Sequence, residues 1–187
     1  MTTFPAFRIE HHHEVSSTNS LLLEHSRKGE AEGLVITADF QSEGRGKPGR
    51  TWVSPKGKNI LFSILLRPSL KANELPIVTQ FACRSVAEAL KSECGLQPEF
   101  KRPNDLFIKG KKICGILTES ACRASGETEA VIIGVGVNVN AEADELPGTA
   151  TSLRLETGKE WDRETLLTAI LEQFRSDFGE KLYASRS

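Results

Sequence analysis

Apolar and polar positions alternate along this chain with two different periods, and the switches between them outline the fold. Residues 59–66, NILFSILL, are almost continuously apolar, which predicts a strand buried on both faces. Residues 130–140, AVIIGVGVNVN, form a second such run, with Gly134 and Gly136 inside it. Glycine weakens a strand, so its presence there marks a close approach by a ligand or another backbone. Residues 33–40, GLVITADF, are rich in β-formers, and residues 7–15 read as a strand with mixed faces. LFIKG and KKICGILTES, split at Lys109-Gly110, read as a hairpin.

Between these runs the period becomes helical. Ser16-Ser17-Thr18-Asn19 is a run of capping residues ahead of a short helix over residues 21–28, closed by Gly29. Leu75, Val78, Phe81, Ala82, Val86, Ala89 and Leu90 predict a helix over 74–93, with Gly95 as its stop. Asp162 caps a last helix through Leu166, Leu167, Ile170, Leu171, Phe174 and Phe178. Residues 141–160 read as loop, and the tail after Leu182 as frayed. Strands dominate the middle and helices flank them. The expected fold class is therefore α+β, a mixed β-sheet with helices packed mainly on one face. No linker or repeat divides it, so a single domain over residues 1–187 is expected.

Composition narrows the function classes. With 24 Lys or Arg against 25 Asp or Glu, the formal charge is −1, unlike a general nucleic-acid binder. No run of about 18 apolar residues suits a membrane span, and residues 1–13 lack the pattern of a signal peptide. Cys83, Cys94, Cys114 and Cys122 form no C-x-x-C pair and read as free, buried thiols. His11, His12 and His13 lack ligand spacing, and three neighbours on a strand alternate faces, so they cannot all grip one metal.

Against that neutral background, residues 44–58 carry five Lys or Arg and no acid. The loop GRGKPGR combines glycines, which allow backbone amides to converge on an oxyanion, with forked arginine donors. Trp52 follows it and can stack on a flat ring. The spacing matches neither a P-loop nor G-x-G-x-x-G. An anion site and a solvated surface loop both fit this stretch. Downstream, KRPND places Asn104 and Asp105 at a strand entrance, and the turn at Gly110 allows Asp105 and Lys112 to be neighbours. A surface ion pair of little consequence fits these residues equally well. The SSTN run serves as a helix cap or as a holder of a polar head group at a helix N-terminus.

Taken in order, STN, Q-x-x-GRG-x-x-GR-x-W-x-SP, an apolar strand, K-x-PND, K-x-x-GIL-x-E and G-x-G-x-N resemble the biotin protein ligases, also called biotin–[acetyl-CoA-carboxylase] ligases. The resemblance runs from about residue 7 to about residue 180, the catalytic domain, and implies a class II synthetase-like fold. It implies two reactions: biotin and ATP form biotinyl-5′-AMP, and the biotinyl group passes to one lysine of a biotin carboxyl carrier protein. By resemblance, Ser17, Thr18, Asn19 and Gln41 hold the polar end of biotin and Gly115 backs its pocket. Gly44, Arg45, Gly46, Lys47 and Arg50 form a disorder-prone lid over carboxylate and phosphates that orders when biotin and ATP arrive. Trp52 packs near adenine, and Asn138 faces it. Asn104 and Asp105 shape the nucleotide side, with Asp105 a candidate for placing Mg²⁺. Lys112 is the main electrostatic catalyst, aided by Arg45.

The chain departs from the family pattern at Lys47 and Pro48, where two arginines are frequent, at Arg102, where Trp is common, and at Ser16, where Asp is frequent. No helix-turn-helix segment precedes the catalytic part, so no DNA binding is expected, and no C-terminal β-barrel is apparent. The resemblance further implies a cytoplasmic enzyme, a homodimer through sheet edges, and no membrane partner. A lipoyl- or octanoyl-transferring relative shares the fold but is expected to lack the GRG-x-x-GR–W–SP stretch. A non-catalytic binder of biotin or its adenylate is disfavoured by Lys112 together with Arg45.

Overall fold

A computed structural model of the chain describes residues 4–47, 49–68, 70, 72–122 and 128–179, so Pro48 and the tail after Leu182 lie outside the described residues. The elements are β1 (Arg8–Val15), α1 (Thr18–Arg27), β2 (Leu34–Gln41), β3 (Ile60–Leu66), α2 (Leu75–Cys94), β4 (Glu99–Lys101), β5 (Asp105–Ile108), β6 (Lys111–Cys122), β7 (Thr128–Val137), α3 (Leu153–Thr157) and α4 (Arg163–Phe178). The seven strands form one sheet in the order β1-β2-β3-β7-β6-β5-β4. Only β1 and β2 pair in parallel, because helix α1 returns the chain between them; every other neighbour is antiparallel. This is the expected mixed α+β sheet.

The two long helices share one face. Val78, Ala82 and Val86 of α2 and Ile170, Phe174 and Phe178 of α4 pack on Phe62, Ile64, Ile133 and Val135. These sheet residues are alternate positions of β3 and β7, so each strand sends every second side chain into this core. A smaller cluster on the opposite face joins Leu22 of α1 to Leu34, Ile36, Leu65 and Ile132. Both faces of β3 are buried, as its continuous apolar run predicts.

Local signals account for the helix ends. Ser17 caps α1 by accepting from the Ser20 amide, so the helix begins at Thr18, earlier than the leucine run alone suggests. Asp162 caps α4 by accepting from the Thr165 amide at 2.7 Å. Gly95 ends α2 with φ 67°, a left-handed geometry that glycine adopts without strain. The segment expected to be loop over 141–160 contains α3, capped by Ser152. Its five residues are too few to display a helical period. Cys83, Cys94 and Cys114 are free as expected; Cys83 and Cys114 are buried, whereas Cys94 is only half-buried, and the Cys122 side chain lies outside the described residues. Burial pushes the Cys83 thiol up to about 12, with the Asp105 charge adding to the rise, so it stays protonated and inert.

Candidate functional site

The face of the sheet that carries α1 lacks side chains where the opposite face is most crowded. Two rows cross the strands there: Leu61–Gly136–Gly115–Asp105 and Ser63–Gly134–Leu117. The glycines make a floor. A Cβ at Gly136 would stand 2.5 Å from Trp52 Cε2, and one at Gly115 would stand 2.8 Å from Trp52 Cζ3. The indole therefore rests on backbone that only glycine leaves open. A Cβ at Gly134 would meet Asn19 Oδ1 at 2.1 Å. The open space left over this floor is about 100 Å³, below the ~300–1,000 Å³ usual for small-molecule sites. Trp52 accounts for the shortfall, and its Nε1 is buried without a hydrogen-bond partner.

The N-terminus of α1 supplies one end of the pocket. Gln41 Oε1 accepts from the Thr18 amide at 2.8 Å and from the Thr18 hydroxyl at 3.1 Å. Asn19 Nδ2 donates to the Leu117 carbonyl and to Glu119, which turns Asn19 Oδ1 towards Ser63. The Ser63 hydroxyl, fully buried, lies 2.5 Å from that oxygen and 2.7 Å from Thr18 Oγ1. These contacts join Gln41 to Glu119 through Thr18, Ser63 and Asn19 in one polar network at the end of the pocket, an arrangement suited to specific recognition. Ser17 lines the same end, although its hydroxyl is engaged in capping.

The cationic loop closes the other side. It forms a small hairpin: Gly46 N donates to Arg50 O, Arg50 N to Lys47 O, and Trp52 N to Gly44 O. Arg45 pairs with Glu119 and so ties the hairpin to β6 and, through Glu119, to Asn19. Arg45, Gly46, Lys47 and Arg50 all line the pocket. Lys112 enters from β6, with Nζ 2.8 Å from Asp105 Oδ1, an ion-pair contact whose angle falls short of a hydrogen bond. The same Nζ stands 5.3 Å from the Trp52 ring centre. Four cationic side chains and one carboxylate, Asp105, therefore face a single cavity, an excess that suits a multiply charged anion.

Lys112 reaches this face through a bulge. Lys112 and Gly115 are three residues apart, a spacing that regular alternation would place on opposite faces. The pairing of β5 with β6 skips Ile113: Leu106 opposes Cys114 and Phe107 opposes Lys112. Ile113 and Cys114 consequently both enter the core, and Lys112 turns back to the pocket. Bonds from Lys112 N to Thr149 O and from Thr151 N to Lys112 O, both 2.9 Å, hold its backbone.

Two of the residues singled out in the sequence stand behind the pocket. Gly44 supports Trp52, whose carbonyl oxygen would lie 2.2 Å from a Cβ placed there. Asn138 is 3% exposed and hydrogen-bonds Asn59 and the Thr151 carbonyl. Asn104 lines the pocket while its amide is bound to the Ile116 carbonyl. Of the family departures, Arg102 is exposed to solvent. Sequence reasoning passed over Ser63 and Asn59, and gave no role to Glu119, the acid that closes the K-x-x-GIL-x-E motif. Ser63 carried a signal, as the lone hydroxyl inside ILFSILL. Asn59, fully buried, joins Ser54 to Asn138 and so anchors the base of the hairpin.

Comparison with known proteins agrees with this geometry. Residues 13–138 match the Biotin/lipoate A/B protein ligase family. The bifunctional ligase/repressor BirA of Bacillus subtilis is 36% identical over 172 residues, covering 90% of this chain and 53% of its own length. The biotin–[acetyl-CoA-carboxylase] ligase of Paracoccus denitrificans is 36% identical over 149 residues, covering 74% of this chain and 60% of its own. The chain thus spans about half the length of the BirA relatives it matches. Biotin protein ligase from Aquifex aeolicus, solved in complex with biotin and ATP, superposes with a TM-score of 0.77 at 32% identity, over 93% of this chain and 72% of that one. With the glycine floor, the polar end on α1 and the cationic hairpin in one pocket, the chain belongs to the biotin protein ligase branch of the biotin/lipoate ligase family and corresponds to its catalytic domain.

Proposed function

We propose that this chain joins biotin to ATP and passes the biotinyl group to a lysine of a biotin carboxyl carrier domain. The observation that carries this reading is the convergence of Lys112 and the hairpin cations over the glycine floor, opposite the Thr18–Asn19–Gln41 end. One end of the pocket suits a neutral polar head group and the other an anionic tail with phosphates.

In the first step a biotin carboxylate oxygen attacks the α-phosphorus of ATP, and pyrophosphate leaves. Charge builds on the transferring phosphoryl oxygens, where the cations of Lys112 and Arg45 stand ready to stabilise it. Asp105 holds Lys112 in place. In the second step the neutral amine of the carrier lysine attacks the acyl carbon. AMP leaves, an amide forms, and the amine proton is released. No covalent enzyme intermediate is required. The hairpin and Trp52 cover the mixed anhydride and exclude water that would hydrolyse it. A ligand entering this small cavity displaces the indole from the glycines, leaving it free to stack on adenine. Mg²⁺ on ATP phosphates needs few protein ligands, and Asp105, the carboxylate of the lining, fits as one of them. Such an ion would neutralise phosphate charge.

The test is to incubate the protein with biotin, MgATP and an apo carrier domain and to follow the carrier by mass spectrometry. Biotin on a single carrier lysine, dependent on ATP, is the expected result. Biotin binding with an unmodified carrier would replace this reading with that of a non-catalytic binder.

A further inference from the structure

At one edge of the sheet, strand β1 carries three histidines in a row. A strand sends residues i and i+2 to the same face. His11 and His13 therefore stand together, their rings 5.7 Å apart, while His12 turns away to Glu10. The parallel neighbour β2 supplies Asp39 between them. Its Oδ2 is 3.3 Å from His11 Nε2 and 3.3 Å from His13 Nδ1. Among the described residues, this is the one group of three metal-ligating side chains whose ligand atoms all lie within 4.8 Å of one another.

We infer that His11, His13 and Asp39 form a binding site for a Zn²⁺-class divalent ion, outside the ligand pocket. The geometry suits that ion. Tetrahedral zinc with bonds of about 2.0–2.1 Å has ligand-to-ligand edges of roughly 3.3 Å, and both Asp39–histidine separations have this length. The remaining edge closes by rotation of the His13 ring, whose side chain is 90% exposed. The outer partners are in place as well. Thr37 Oγ1 lies 2.9 Å from His11 Nδ1 and can accept its proton when Nε2 binds an ion, the outer contact that orients a ligating imidazole. Arg163, at the start of α4, grips Asp39 Oδ1 at 3.2 Å through both terminal nitrogens, which turns Oδ2 towards the imidazoles. Two imidazoles and one carboxylate select a borderline ion such as Zn²⁺ or Ni²⁺ over Mg²⁺. Bound there, the ion clips β1 to β2 across their parallel pairing. It also fixes the strand that leads into the capping run ahead of α1.

Untagged protein freed of metal by a chelator, titrated with Zn²⁺ in a calorimeter and melted with and without it, decides the matter. The expected result is one Zn²⁺ per chain and a raised melting temperature, with Mg²⁺ inert. His13→Ala and His11→Ala should each abolish binding, whereas His12→Ala should bind as the parent does. Thr37→Val should weaken binding by roughly 10–100-fold, as loss of an outer partner does. His13 is exposed enough for its replacement to leave the fold intact, which the melting curve without zinc verifies. No zinc heat in the parent, retained binding in either His11→Ala or His13→Ala, or an equal loss in His12→Ala would overturn the inference.

Discussion

The two faces of strands β3, β6 and β7 are built from alternate residues of the same segments and follow opposite rules. Towards α2 and α4 the strands present Phe62, Ile64, Ile116, Ile133 and Val135, all buried in one cluster. Towards the pocket the intervening positions are Ser63, Gly115, Gly134 and Gly136. One face is packed by volume, and the other is shaped by the removal of volume. The sheet can afford a floor without side chains because its stability comes from the face behind it. The cationic hairpin and Trp52 then fill part of the emptied side with groups that can be displaced, which a packed core cannot offer.

Variants on the two faces break this contrast in different ways, beginning with the largest effect. Phe62→Ala removes a fully buried ring from the helix-covered face and should lower unfolding free energy by about 3–5 kcal/mol in denaturant titration. A shift below about 1 kcal/mol would mean that this face is not where the stability resides. Lys112→Ala should slow adenylate formation by ~10²–10³-fold, or about 3–4 kcal/mol, with little change in the denaturation midpoint. Pyrophosphate release from biotin and ATP measures it, and an unchanged rate would remove Lys112 from its role.

Gly136→Ala sharpens the comparison further. Its new methyl would meet the Trp52 ring at 2.5 Å, and overpacking of this kind costs roughly 1–3 kcal/mol. The loss should appear in affinity for biotin and ATP more than in stability, because the indole can move whereas a core side chain cannot. Equal losses in calorimetric affinity and in unfolding would show the floor to be ordinary core. Arg45→Ala should have the smallest effect on folding stability, since a largely exposed pair such as Arg45–Glu119 contributes less than about 1 kcal/mol. It should nevertheless release adenylate, seen as biotin on bystander lysines by peptide mapping. Labelling confined to the carrier would argue against a covering hairpin.

Much of the fold was legible because it rests on local pattern. The apolar run of β3, the Asp162 cap of α4 and the glycine stop of α2 are each decided by neighbouring residues. The order of motifs also grouped the pocket residues before their contacts were visible. What escaped depends on pairing between distant strands. Strict alternation would set Lys112 against Gly115, and the skipped pairing at Ile113 reverses that. Nothing in the sequence around Asn138 shows that Asn59 and the 149–151 segment hydrogen-bond its side chain. The three histidines read as unsuited to a metal as a triplet, and His12 does face away. The third ligand, Asp39, comes from a neighbouring strand, which spacing within β1 cannot reveal.

The bulge at Ile113 can be described in the language of codes. A strand is read two residues at a time, and one extra residue throws everything beyond it out of phase. At Ile113 the backbone absorbs the extra residue in place, so the phase is correct on both sides, as a suppressor restores a shifted frame. The interval from Lys112 to Gly115 is odd where two side-by-side positions on a regular strand require an even one. That odd interval in K-x-x-G is therefore a written trace of the backbone defect, and a chain whose lysine and glycine must share one face of a strand at this distance has to carry the same defect.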